Sequence, residues 1–144
     1  MDDNCLFCRI VSGELPATIV YEDEDAVAFL DHRPLFPGHT LLVPRQHVET
    51  LGELDTKLVG PYFEAAQLLA RVVESAMDAE GTFVAMNNRV SQSVPHLHVH
   101  VVPRRRKDGL KGFFWPRTKY KGEEEIEEVR SKIAVALQKE RTKK

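Results

Sequence analysis

At 144 residues, 42% hydrophobic and 29% charged with a formal charge of −2, the chain has the make-up of one globular domain with a real core. It lacks the net positive charge that draws a protein to nucleic acid or to a membrane surface. No apolar stretch nears the roughly 20 residues of a membrane span, and the opening Met1-Asp2-Asp3-Asn4 carries no signal-peptide core, so a cytoplasmic protein with no membrane or specific nucleic-acid partner is expected. Two cysteines, Cys5 and Cys8, are too few for a secreted disulfide framework.

Nothing in the chain repeats. A single domain over residues 1–144 is expected, with its core at about 5–103, a C-terminal extension and helix at about 104–140 and a frayed tail at 141–144. Residues 5–12 predict a short helix that places Leu6, Phe7 and Ile10 on one face and ends at Gly13. Residues 19–22 and 26–30 predict two strands joined by the acidic turn Glu22-Asp23-Glu24-Asp25. Residues 31–38, with two prolines and a glycine, predict a loop, and 39–43 a third strand stopped by Pro44. His47 follows on a loop. Leu58, Tyr62, Ala65, Leu69, Val72, Val73 and Ala76 recur at helical spacing. Pro61 conflicts with a helix interior, so a short turn at 55–59 and a main helix from about 60 to 78 are expected.

Residues 82–87 predict a fourth strand and 96–102 a fifth. Short sequential strands of this kind suit an antiparallel sheet. The loop between the last two, residues 88–95, carries hydroxyl and amide groups. The run Arg104-Arg105-Arg106-Lys107 is a solvated loop or a phosphate attractor. The aromatic segment 111–117 suits core or a subunit contact better than a nucleobase platform. A final helix at 123–139 carries the stripe Ile126, Val129, Ile133 and Leu137, with glutamates first and basic residues last, as the helix dipole favours.

The fifth strand carries the chemistry. His96, His98 and His100 alternate with Leu97, Val99 and Val101. In an extended chain the apolar set faces a core and the imidazoles share the other face, about 7 Å apart. An edge strand with polar residues outward is the bland reading. Three groups that titrate near neutrality on one face suit a nucleophile, a general acid or a metal ligand.

The run Gln92-Ser93-Val94-Pro95-His96-Leu97-His98-Val99-His100-Val101-Val102 resembles the motif of the histidine triad family of nucleotide hydrolases and transferases. The resemblance extends over residues 5–103 through Cys5-Leu6-Phe7-Cys8-Arg9-Ile10, Phe29-Leu30-Asp31, Pro37-Gly38-His39 and Leu42-Val43-Pro44-Arg45-Gln46-His47. It implies an α+β fold, a five-stranded antiparallel sheet with a long helix, to which the periodicity above adds the C-terminal helix. It also implies a homodimer, and a purine nucleotide as substrate. His98 would attack the α-phosphorus to make a nucleotidyl-histidine, from which water releases a nucleoside monophosphate such as AMP. An unprotonated imidazole is a competent nucleophile for this, and His100 on the same face can donate to the charge that develops on phosphate. His96 and Ser93 complete the catalytic set, with His39 in support. Asp31 would take the ribose hydroxyls. Asn87 and Gln92 would contact phosphate, sugar or leaving group, and Leu6, Phe7, Ile10 and Phe29 would form the base pocket. Two positions depart from the family habit: His32, where many relatives are apolar, and Ser91, where many have glycine.

Cys5-x-x-Cys8 has the spacing of half a zinc site, of a redox pair, or of two small hydrophobes in a helix. The resemblance adds His47 and His96 as the other ligands of a structural zinc, which would make His96 a ligand and not an acid. No organic cofactor is expected. Two other functions stay open: a nucleotide-binding regulatory module with little turnover, and a zinc protein whose histidines are all ligands.

Overall fold

The computed structural model describes residues 4–110 and 117–143. The elements run α1 (Leu6–Val11), β1 (Ile19–Glu22), β2 (Ala26–Leu30), β3 (Thr40–Pro44), a 3-10 turn (Leu51–Glu53), α2 (Thr56–Ala76), β4 (Gly81–Ala85), β5 (Val99–Arg104) and α3 (Glu123–Arg141). They divide into a unit that ends at Asp108 and a second that begins at Gly109.

The first unit is the expected α+β arrangement. Its sheet has the order β1-β2-β3-β5-β4, with every neighbouring pair antiparallel. One sheet face packs Ala26, Ala28, Leu42, Val99 and Val101 under Tyr62, Ala65, Ala66, Leu69 and Val73 of α2. The other packs Val27, Phe29, Leu41 and Val43 under Cys5, Phe7 and Cys8 of the N-terminal segment. Burial on both faces is why β2 and β3 read as continuous apolar runs instead of alternating ones. The β1–β2 turn is made by Asp23, whose carboxylate accepts from the backbone N–H of Asp25 and Ala26 and from the Tyr21 hydroxyl.

Two boundaries differ from expectation for reasons the chain makes plain. The long helix starts at Thr56, capped by Asp55, and runs straight through Pro61. Pro61 lies near the N-terminal end, on the exposed side. The carbonyl it leaves without a helical donor is that of exposed Lys57, which water can serve. The helix ends two residues early because Asp78 takes φ 51°, a left-handed stop that Asp tolerates. The fifth strand begins at Val99, not at His96. The β3–β5 ladder stops at Leu42↔Val99. Two residues further along β3 lies Pro44, which has no N–H to extend a ladder, and Leu97 donates instead to the Val48 carbonyl at 2.7 Å. Residues 96–98 thus precede the strand, with His96 in a bend. β4 ends at Ala85, where it pairs His100, so Asn87 belongs to the loop. β3 is displaced by one residue, to Thr40–Pro44.

The basic run is tied down. Arg104 pairs Asp108 at 2.6 Å, Arg105 donates to the Met77 carbonyl, and Arg106 pairs Glu80 at 2.7 Å. In the second unit α3 starts where expected and extends to Arg141, with Glu123, Glu124 and Glu125 in its first turn and Lys139 and Arg141 in its last. Residues 111–116 of the aromatic segment lie outside the described residues.

Candidate active site and metal cluster

α1 and the start of β5 enclose a cavity of about 620 Å³, within the range of a small-molecule site. Leu6, Phe7 and Ile10 come from α1, Phe29 and Asp31 from the end of β2, and His98, His100 and Ser93 from β5 and the loop before it. The cavity therefore combines apolar side chains, two imidazoles and a carboxylate. The Phe7 ring stands edge-on to Phe29 and to His98, with centroids 5.3 and 5.1 Å apart.

Hydrogen-bond partners set the state of each imidazole. His98 Nδ1–H donates to the His96 carbonyl at 2.8 Å. A carbonyl only accepts, so the proton sits on Nδ1 and Nε2 keeps its lone pair. The Leu35 N–H donates to His39 Nδ1 at 3.1 Å, which places the His39 proton on Nε2. That Nε2–H faces His100 Nδ1 at 3.0 Å, so His100 Nδ1 accepts and its own proton sits on Nε2. His98 and His100 thus carry opposite tautomers: one offers the cavity a lone pair, the other an N–H. Burial lowers both pKa values, that of His100 to about 4 with the neighbouring His98 and His39 adding to the shift. Burial likewise lowers that of His39, against the pull of Asp31. All three rings are neutral near pH 7. Asp31, His39 and His100 cluster closely enough to suggest a cation site, but a His39 Nε2 that carries a proton cannot ligate one.

A second cluster lies behind the cavity. Cys5, Cys8, His47 and His96 bring four ligand atoms within 4.8 Å of one another. His96 Nδ1 is 3.3 Å from Cys5 Sγ, 3.5 Å from Cys8 Sγ and 3.2 Å from His47 Nδ1, and Cys8 Sγ is 3.2 Å from His47 Nδ1. The edges of a tetrahedron built on Zn–N of about 2.0–2.1 Å and Zn–S of about 2.3 Å are about 3.3–3.8 Å, so the cluster is a close fit to Zn²⁺. The protonation fits as well. His96 Nε2–H donates to the Pro44 carbonyl at 2.8 Å, which aims the Nδ1 lone pair at the cluster centre. Burial lowers the His96 pKa to about 4 and keeps the ring neutral.

The structure sorts the expected residues into three groups. Leu6, Phe7, Ile10, Phe29, Asp31, Ser93, His98 and His100 line the cavity. His39 stands behind His100, and His96 belongs to the metal cluster by its side chain and to the cavity only by its carbonyl. Asn87 and Gln92 do not line the cavity. Gln92 donates to the Glu49 carbonyl and accepts from the Arg89 N–H, and Asn87 donates to the Ser91 carbonyl. Both brace a loop in which Arg89 and Ser91 take φ of 70° and 62°. Sequence reasoning did not single out Leu41, Val94, Ala17 or Thr18, which also line the cavity. Leu41 stands beside Leu42 in a strand buried on both faces, so no periodicity tells which of them faces the site.

A sequence model described as the HIT domain matches residues 12–107. The chain is 37% identical over 139 residues to "Protein hit" of Bacillus subtilis, covering 94% of this chain and 95% of that protein. It is 33% identical over 135 residues to an adenosine 5'-monophosphoramidase of Schizosaccharomyces pombe, covering 90% and 98%. With an adenylylsulfatase of Arabidopsis thaliana it shares 31% over 112 residues, 76% of this chain and 57% of that one. Among solved structures, a HIT-family protein of Bacillus subtilis superposes with a TM-score of 0.84 at 37% identity, covering 92% and 96%. A zinc-bound histidine triad protein of Mycobacterium smegmatis superposes at 0.71 and 36%, covering 94% and 96%.

Proposed function

The chain belongs to the HIT-domain family of nucleotide hydrolases, and on that premise we propose that it releases a nucleoside monophosphate, AMP in the first instance, through a covalent nucleotidyl-histidine on His98. The observation that carries this reading is the opposite tautomers of His98 and His100. His98 Nε2 attacks the α-phosphorus; the bond to the leaving group breaks and its electron pair leaves with that group, which takes up a proton. The Nδ1–H bond to the His96 carbonyl supports the positive charge that the imidazole gains. His100 Nε2–H donates to a non-bridging oxygen as negative charge develops. Ser93 donates to phosphate or leaving group. Water then attacks the same phosphorus, its oxygen staying on the nucleotide and the proton it loses to solvent balancing the one the leaving group took up, and His98 leaves with its lone pair restored. Asp31 accepts from the ribose hydroxyls, while Leu6, Phe7, Ile10 and Phe29 hold the base.

Two relatives are named for cleaving an adenylyl sulfate and an adenosine phosphoramidate. They share the adenylyl group and differ in what leaves, which supports an adenylyl donor here. Zn²⁺ held by Cys5, Cys8, His47 and His96 would have no open position, so its part is structural. Thiolate ligation suits a reducing cytoplasm. The experiment is quenching of turnover in alkaline denaturant, where a phosphorus–nitrogen bond to histidine survives, with a panel of adenosine donors that differ only in leaving group. An adduct on His98, absent in His98→Ala along with turnover, is expected. An adduct elsewhere, or an active His98→Ala enzyme, refutes the assignment.

A further inference from the structure

We propose that the Cys5–Cys8–His47–His96 cluster and the nucleotide cavity are one thermodynamically coupled unit, joined by α1, with Phe7 as the positioning residue that carries the coupling. The proposal rests on the cavity being a nucleotide site. α1 has six residues and takes part in no strand ladder. A helix that short does not hold itself together and depends on what fixes its side chains. Its two sides are fixed by different things. Cys5 and Cys8 reach the cluster, and Cys5 Sγ also accepts from the Cys8 N–H at 3.3 Å as the helix cap. Leu6, Phe7 and Ile10 form a wall of the cavity.

Phe7 touches both. It is buried, 6.0 Å from the His96 ring on the cluster side and 5.1 Å from the His98 ring on the cavity side. His96 spans the same gap by another route: its ring nitrogen faces the sulfurs while its carbonyl holds His98 Nδ1. Ligands at the cluster fix α1 and His96, and so set the apolar wall and the nucleophile together. A nucleotide that presses against Phe7 keeps the sulfurs where the metal needs them. By linkage each ligand then raises the other's affinity by the same factor. A purely structural metal site, with no path to the cavity, would ignore the nucleotide.

The test uses zinc-loaded full-length protein, purified without a metal-affinity tag and equilibrated with a chromogenic zinc chelator. Calorimetry on the same sample establishes that AMP is bound. With saturating AMP, the chelator concentration that withdraws half the zinc should rise about tenfold, within the 5- to 150-fold span usual for site–site coupling. Inorganic phosphate at the same concentration should leave it unchanged, which separates the effect from chelation of zinc by a phosphate group. Phe7→Ala should bring the factor close to one while zinc still binds, and Phe7→Leu, which keeps apolar bulk without a ring edge, should lower it if the alanine variant does not fold. Zinc retention that ignores bound AMP in the wild type overturns the coupling. A factor unchanged in either Phe7 variant overturns the role of that residue. Wild-type protein that binds no AMP refutes the nucleotide reading of the cavity instead.

Discussion

His98 and His100 in the cavity and His39 behind them are held neutral by burial, and that has a consequence for stability as well as for chemistry. His100 has a folded pKa of about 4 against 6.5 for the free side chain, chiefly through burial. Between those values the unfolded chain takes up a proton that the folded one refuses. Stability from this group is therefore full above about pH 6.5, falls as pH drops from 6.5 toward 4, and levels off below 4, where both states are charged. Urea denaturation of the wild type and of His100→Asn across that window should show a shallower pH dependence in the variant. Equal slopes would place the sensitivity elsewhere. The alternation of histidines made the triad legible in the sequence, and the family resemblance assigned His98 its role. The groups that set the tautomers are backbone atoms: the His96 carbonyl for His98, and the Leu35 N–H, acting through His39, for His100. Backbone partners leave no mark in residue identity, so opposite tautomers could be reached only from coordinates.

At the level of elements, the turn that delivers His39 was legible and its tolerance was not. The Phe36 carbonyl accepts from the His39 N–H at 3.0 Å across Pro37-Gly38, with Gly38 at φ +98°, the pattern of a type II turn. A Cβ on Gly38 would also lie 2.6 Å from Met77 Cγ. Met77 can swing aside, but the backbone strain stays. Gly38→Ala should cost about 1–3 kcal/mol in urea denaturation and lower kcat by displacing His39. An unchanged midpoint would show the turn to be dispensable. Pattern alone predicts strands β1 and β2, because the Asp23 turn separates them cleanly. The alternation of the histidines predicts a strand over 96–102, where the strand runs Val99–Arg104: its start is set by a proline in another strand, Pro44. Pro61 predicts a break because residue preference carries no information about which carbonyl loses its donor.

For the molecule as a whole, the sheet leaves two edges, β1 and β4. On the β4 edge Val84 is 44% exposed, and α2, which packs against β4, keeps Phe63 and Val72 at 38% and 49%. Joining two such edges hides both the unpaired backbone and this apolar area. Light scattering at micromolar concentration should give twice the chain mass of 16.4 kDa, and a monomer there would refute the dimer. The centre of the sheet has the opposite character. β3 is paired on both sides and covered on both faces, with Leu42 and Val43 wholly inaccessible. Its amide protons have no local route to solvent, so in deuterated water they should exchange only when the entire fold opens, at a rate that reports global stability. β1, bulged and at an edge, should lose its protons far sooner, so that a single exchange experiment reads the order in which this sheet comes apart.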